Sequence, residues 1–105
     1  MTPLATIDCG DHCEDTLRAV RSETGSVALE REFKGGRIER WPVEATDTLR
    51  VTGAMLGNAG IEWKLTLVSR CGSSSAIAHF DRDIDAFVTA VAAAAGCAVS
   101  IASRR

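Results

Sequence analysis

Two kinds of hydrophobic spacing divide the chain. Leu49 and Val51, then Ile61, Trp63, Leu65 and Leu67, alternate with polar or small residues, the period-two pattern of half-buried strands. Ile84, Phe87, Val88, Val91 and Ala95 recur at helical spacing and fall on one face. The strand pattern predicts a hairpin turning at Leu56 to Gly60, LGNAG. If Met55 faces Ile61, then Val51 faces Leu65, Leu49 faces Leu67, and Gly53 lies under Trp63, whose ring covers the backbone that glycine leaves bare.

The helical stretch has its own start and stop signals. Asp81 suits an N-cap, Asp83 and Asp85 put negative charge in the first turn where the dipole favours it, and Gly96 offers a left-handed stop. The opposite face carries Arg82, Ala86, Thr89, Ala90 and Ala93, with no charge after Arg82. Small residues let a second element approach closely, so this back is expected to be covered by an N-terminal helix or a second subunit. Ala86, Ala90 and Ala93 are therefore candidate partner-binding residues.

An earlier hairpin is read in SVALEREFKGGRIERWPV. A two-residue Gly-Gly loop would set Glu32 against Glu39 and Arg31 against Arg40, both repulsive. A three-residue loop, Lys34 to Gly36, pairs Arg31 with Glu39, Glu30 with Arg40, Leu29 with Trp41 and Val27 with Val43. Its core face is then Val27, Leu29, Trp41 and Val43, with Glu30, Glu32 and Arg40 facing water. Pro42 restricts the second strand to an edge or an end.

From Asp11 the pattern reads as a helix of about three turns, with Cys13, Leu17 and Val20 in one stripe, Glu14 four before Arg18, and Gly25 as the stop. Leu4, Thr6 and Ile7 suit a short strand, as does Ala76 to Phe80, and the alternation of Cys97, Val99 and Ile101 suggests a final strand over residues 97–102. These elements predict an α+β fold: an antiparallel sheet of five or six strands built from hairpins, a C-terminal amphipathic helix on one face, and a short N-terminal helix.

At 105 residues the chain, 1–105, is one domain, long enough to bury a core without staples. Its net charge of -2 argues against nucleic acid as a partner. The start, MTPLATIDCGDHCED, lacks the basic and apolar regions of a secretory signal, so a cytoplasmic setting with four reduced cysteines is expected. Ala86 to Ser103 is an uncharged run closed by Arg104 and Arg105. Only Phe87, Val88, Val91, Val99 and Ile101 in it favour insertion, by about 0.3–0.6 kcal/mol each, and Gly96 interrupts it, which argues against a membrane anchor.

Candidate chemistry is sparse. Cys9, His12 and Cys13 lie close together, with Cys71, His79 and Cys97 elsewhere, so zinc is one alternative, although no Cys-x-x-Cys pair is present. Cys71 in RCGSSS sits in a loop able to present backbone N–H groups to an anion, which makes a small cysteine enzyme another, but no Lys stands where a phosphate loop needs one. Asp83 and Asp85 are accounted for as helix-start residues. Lys34, Arg37 and Arg40 lie at or beside the first hairpin tip, where they are candidates to meet an acidic partner or a lipid headgroup.

The segments RIERWPV, WKLTLVS (Trp63 to Ser69), HFD (His79 to Asp81) and DAFVTAVAAAAG make the chain resemble pleckstrin-homology-like domains of small bacterial proteins. The resemblance implies successive antiparallel hairpins closed by an amphipathic helix. In lipid-binding members, a Lys and then a basic-x-Arg triplet across the first hairpin hold phosphates. Lys34 and Arg37 match the first two positions, and Glu39 stands where the Arg belongs. The resulting expectation is a noncatalytic protein-interaction or assembly module without a cofactor, forming a homodimer.

Overall fold

The computed structural model describes residues 3–9, 15–55 and 60–103. Within them the chain forms β1 (Ala5–Asp8), β2 (Thr16–Arg21), β3 (Val27–Glu32), β4 (Ile38–Val43), β5 (Thr48–Met55), β6 (Ile61–Val68), β7 (Ser74–Phe80), α1 (Asp85–Ala95) and β8 (Ala98–Ser103). The strands make two four-stranded sheets, ordered β1-β2-β3-β4 and β7-β6-β5-β8. The expected single sheet of five or six strands is thereby corrected, and so is the N-terminal helix.

The error over β2 has a definite cause. Leu17 and Val20 share a face on a helix but point to opposite faces of a strand. In the structure Leu17 is in the core, beside Ala19 of the same strand, while Val20 is buried on the other side of the sheet, away from the main core. Two apolar faces mimicked one helical stripe. The predicted start of that helix, with His12 and Cys13, lies outside the described residues, as do the LGNAG turn up to Ala59 and the terminal Arg104 and Arg105.

Both hairpin registers match the expectation. β3 and β4 pair Arg31 with Glu39, Glu30 with Arg40, Leu29 with Trp41 and Val27 with Val43. The Phe33 N–H donates to the Arg37 carbonyl at 2.8 Å across the three-residue loop, whose Gly35 and Gly36 both have φ of 98°, a region glycine enters without strain. β5 and β6 pair Met55 with Ile61, Gly53 with Trp63, Val51 with Leu65 and Leu49 with Leu67. As Pro42 required, β4 is a sheet edge.

β7 is antiparallel to β6 and β6 to β5, so β7 and β5 share a direction, and β8 runs parallel to β5. A parallel return of this kind needs a crossover, and α1 supplies it. Leu17, Leu29 and Val43 from one sheet, Leu49, Val51, Leu65 and Ile77 from the other, and Ile84, Val88 and Val91 from the helical segment form one core. The uncharged run that ended in Ser103 is split between α1 and β8, and among the described residues no helix is long and apolar enough to cross a membrane.

The helix begins later than Asp81. Ile84 is the N-cap and makes no side-chain cap bond. Asp83 Oδ1 instead accepts the Asp85 N–H at 2.8 Å, and Asp81 accepts from the Arg82 Nε at 3.3 Å. Gly96 ends the helix as expected, left-handed at φ 72°, with its N–H donating to the Ala92 carbonyl at 2.8 Å.

Candidate functional site

Among the described residues each sheet ends in two edge strands, and these differ in how they are protected. Proline, charge and bulges are the devices that keep an edge from pairing with another chain. β4 carries Glu39, Arg40 and Pro42, and β1 carries Asp8 and follows Pro3. β7 contains a bulge where its partners pass from Leu65 to Thr66, leaving both Ile77 and Ala78 buried. β8, AVSIAS, has no charge, no proline and an unbroken register with β5.

The inward positions of β8 are also under-covered. Val99 pairs with Leu49 and Ile101 with Val51, both fully buried. Yet Val99 is 38% exposed and Ile101 51%. The apolar face of the second sheet therefore runs past the helix and first sheet that cover its centre.

Ala86, Ala90 and Ala93 lie on the exposed side of α1 together with Thr89, while Phe87, Val88, Val91 and Ala92 are buried. No element among the described residues covers that alanine face, because the segment expected to do so forms β2. Lys34, Arg37 and Arg40 are not brought together as one basic cluster. Arg37 pairs with Glu39 at 3.7 Å and stacks on the Phe33 ring at 4.1 Å. The backbone N–H of Lys34 donates to Asp15 Oδ1 at 3.2 Å.

Arg40 belongs to a different group, a ladder across three strands. Register places Arg18, Glu30 and Arg40 side by side. Arg18 Nε donates to Glu30 Oε1 at 3.3 Å, and Arg40 Nε donates to Glu30 Oε2 at 2.9 Å, with a second Arg40 nitrogen on the same oxygen. The expectation that Glu30 faces water is corrected: it sits on the outer face, but its side chain is only 12% exposed beneath the two guanidiniums. The bond from Arg40 is the main cause of its lowered pKa, opposed by burial and helped by Arg18.

Arg31 joins the two sheets. Its Nε and a terminal nitrogen donate to Asp15 Oδ2 at 2.9 and 2.6 Å, and its other terminal nitrogen donates to the Ile77 carbonyl at 2.8 Å. That carbonyl lies at the β7 bulge, so one planar guanidinium ties β3 to the irregular strand of the facing sheet.

The three described cysteines differ in their surroundings. Cys9 is buried, Cys97 half-buried and Cys71 exposed. Among the described residues no three His, Cys, Asp or Glu side chains are grouped to hold a metal ion. Cys71 Sγ lies 3.1 Å from Ser69 Oγ and 3.4 Å from Ser73 Oγ. Those contacts, Ser69 first, bring its pKa down to about 7. Burial, mainly, pushes the Cys97 thiol up. The side chains that contact Cys71 are the hydroxyls of Ser69 and Ser73, which stabilise a thiolate without acting as a base, while His79 is engaged with Glu62 at 3.1 Å.

One feature of the second sheet was not found from the sequence. Its outer face holds a depression of about 430 Å³ lined by Arg50, Thr52, Glu62, Lys64, Thr66 and His79, among others. The signal was present as the polar half of the alternation: positions 50, 52, 62, 64 and 66 face away from the apolar set. A groove of about 460 Å³ at the end of the first sheet, with Val20, Ala28, Pro42 and Ala95 among its walls, has Arg40 as its one basic group, already held by Glu30. Comparison with protein-family models, with curated proteins and with solved structures finds no match.

Proposed function

We propose that this protein is a noncatalytic assembly module that pairs with a second copy of itself through the open edge of β8. The observation that supports the reading is the contrast between β8 and the other three edges: six uncharged residues, free of proline and bulge, exposing Val99 and Ile101. In an antiparallel pairing of β8 with its copy about a two-fold axis, every unpaired backbone group along the edge gains a partner. No like charges are set opposite one another, because neither strand carries any. The exposed inward side chains of the two copies become neighbours on one continuous apolar face. Ala86, Ala90 and Ala93 on α1 lie on the helix that leads into β8, and their small side chains permit close approach of a second helix.

The test is molar mass in solution by sedimentation equilibrium. The wild type is expected at about twice the 11.1 kDa of one chain, and Ile101→Lys at one chain with an unchanged circular dichroism spectrum. A wild type that stays monomeric at every accessible concentration, or an Ile101→Lys variant that is folded and still dimeric, overturns the β8 edge as the interface. Ala90→Glu separates the helix back from the strand edge: if it alone abolishes the dimer, the interface lies on α1.

A further inference from the structure

We infer that the outer face of the second sheet binds a small oxyanion, a phosphate or a phosphomonoester, through Arg50 and Lys64. The site is separate from the assembly reading and does not rest on it. Register fixes the arrangement: Arg50 lies opposite Thr66, and Lys64 lies between Thr52 on β5 and His79 on β7. Arg50 and Lys64 are thus diagonal neighbours on adjacent strands, with a backbone spacing of about 7–8 Å that long side chains span easily. Both are exposed and line the same depression, with the hydroxyls of Thr52, Thr66 and Ser74 beside them.

The contrast with the other sheet shows what is unusual. On the outer face of the first sheet the cations are spent internally, Arg18 on Glu30 and Glu32, Arg40 on Glu30. Among the described residues neither Arg50 nor Lys64 has a carboxylate within ion-pair distance, and Glu62, the one acid lining the same depression, is engaged by His79. A chain of net charge -2 therefore leaves two cations without a direct ion pair in one concavity, beside a single carboxylate, Glu62, that His79 holds. A bound oxyanion relieves their repulsion: the Arg50 fork and the Lys64 ammonium each donate to it, and neutral hydroxyls fill its remaining acceptor sites. Two cations are too few for a long polyanion, whose affinity grows with the number of phosphates neutralised. No Phe, Tyr or Trp lines the depression to stack a base, and its one ring, His79, is held by Glu62. A single phosphate group is what fits.

The test follows backbone amide resonances of the full chain during titration with inorganic phosphate and with glycerol phosphate, against sodium chloride at matched ionic strength. Saturable shifts are expected at Thr52, Lys64, Thr66 and His79, with affinity at least fivefold weaker in Arg50→Gln and in Lys64→Gln. Both substitutions lie on a solvent-facing surface, and retained amide dispersion confirms that each variant is folded. A tighter response to glycerol phosphate assigns a phosphomonoester, and an equal or tighter response to inorganic phosphate assigns the free ion; either supports the site. Shifts that do not saturate, that chloride reproduces, or that persist at wild-type affinity in either variant overturn it.

Discussion

Gly53 on β5 and Trp63 on β6 face each other across the hairpin, and a methyl group added to Gly53 would stand 2.7 Å from Cζ3 of the indole. That distance is well inside van der Waals contact, so the ring occupies the volume the glycine leaves open. The pair locks register, because a slip of one residue would turn Trp63 to the solvent face and set a side chain against the ring.

Gly53→Ala is accordingly expected to cost about 1–3 kcal/mol through overpacking, measured by urea unfolding. In a Trp63→Leu background the same substitution should cost less than about 1 kcal/mol, since the two positions are in direct contact and couple. Equal costs in both backgrounds would remove the ring as the cause.

Glu30 predicts a dependence on acid. Its folded pKa lies below the ordinary 4.5, chiefly through Arg40. A carboxylate with a depressed folded pKa contributes stability that is fully present above the unfolded value and lost as pH falls through the folded one. Urea midpoints should therefore fall as pH drops below 4.5, and Glu30→Gln should show a shallower fall while being less stable at neutral pH by about 1–2 kcal/mol.

Arg31 makes a sharper prediction about geometry than about charge. Lysine keeps the positive charge but cannot donate in a fixed fork to both Asp15 and the Ile77 carbonyl. Arg31→Lys should lower stability by about 1–3 kcal/mol, leaving a buried acceptor unmet. Faster hydrogen exchange of β7 amides near Ile77 is the accompanying signature; exchange unchanged there, with stability unchanged, would show that the link between sheets is dispensable.

Cys71 should be the most reactive described thiol near neutrality. Its alkylation rate with iodoacetamide is expected to rise with pH around a midpoint of about 7. Ser69→Ala removes the largest contribution and should move that midpoint toward the ordinary 9.0. Mass spectrometry of the labelled cysteines checks both, with Cys97 expected to label more slowly because burial raises its pKa.

The legible parts of the fold were those in which neighbours in sequence are neighbours in space. Cross-strand charge fixed the β3–β4 register, since the alternative set Glu32 against Glu39. The candidate sites were read less well. Arg40 looked like a hairpin-tip cation, but it is committed to Glu30, and Glu30 looked solvated because alternation reports only which face a residue is on. How deep it lies depends on Arg18, which arrives from β2, a strand the spacing of Leu17 and Val20 disguised as a helix. Arg50 and Lys64 stood out only once register placed them in one depression with neither in an ion pair and its single acid, Glu62, turned to His79.

By itself the sequence determined the two hairpin registers, the Gly53–Trp63 match and the helix that ends at Gly96, because turn length, side-chain volume and residue spacing act over a few residues. The tertiary structure alone decided that eight strands divide into two sheets, that α1 carries the chain across to set β8 parallel to β5, and that β8 is left as an unguarded edge. Those outcomes depend on which surfaces meet between segments far apart in the chain, and the burial that selects among such pairings belongs to the whole core, with no local pattern to announce it.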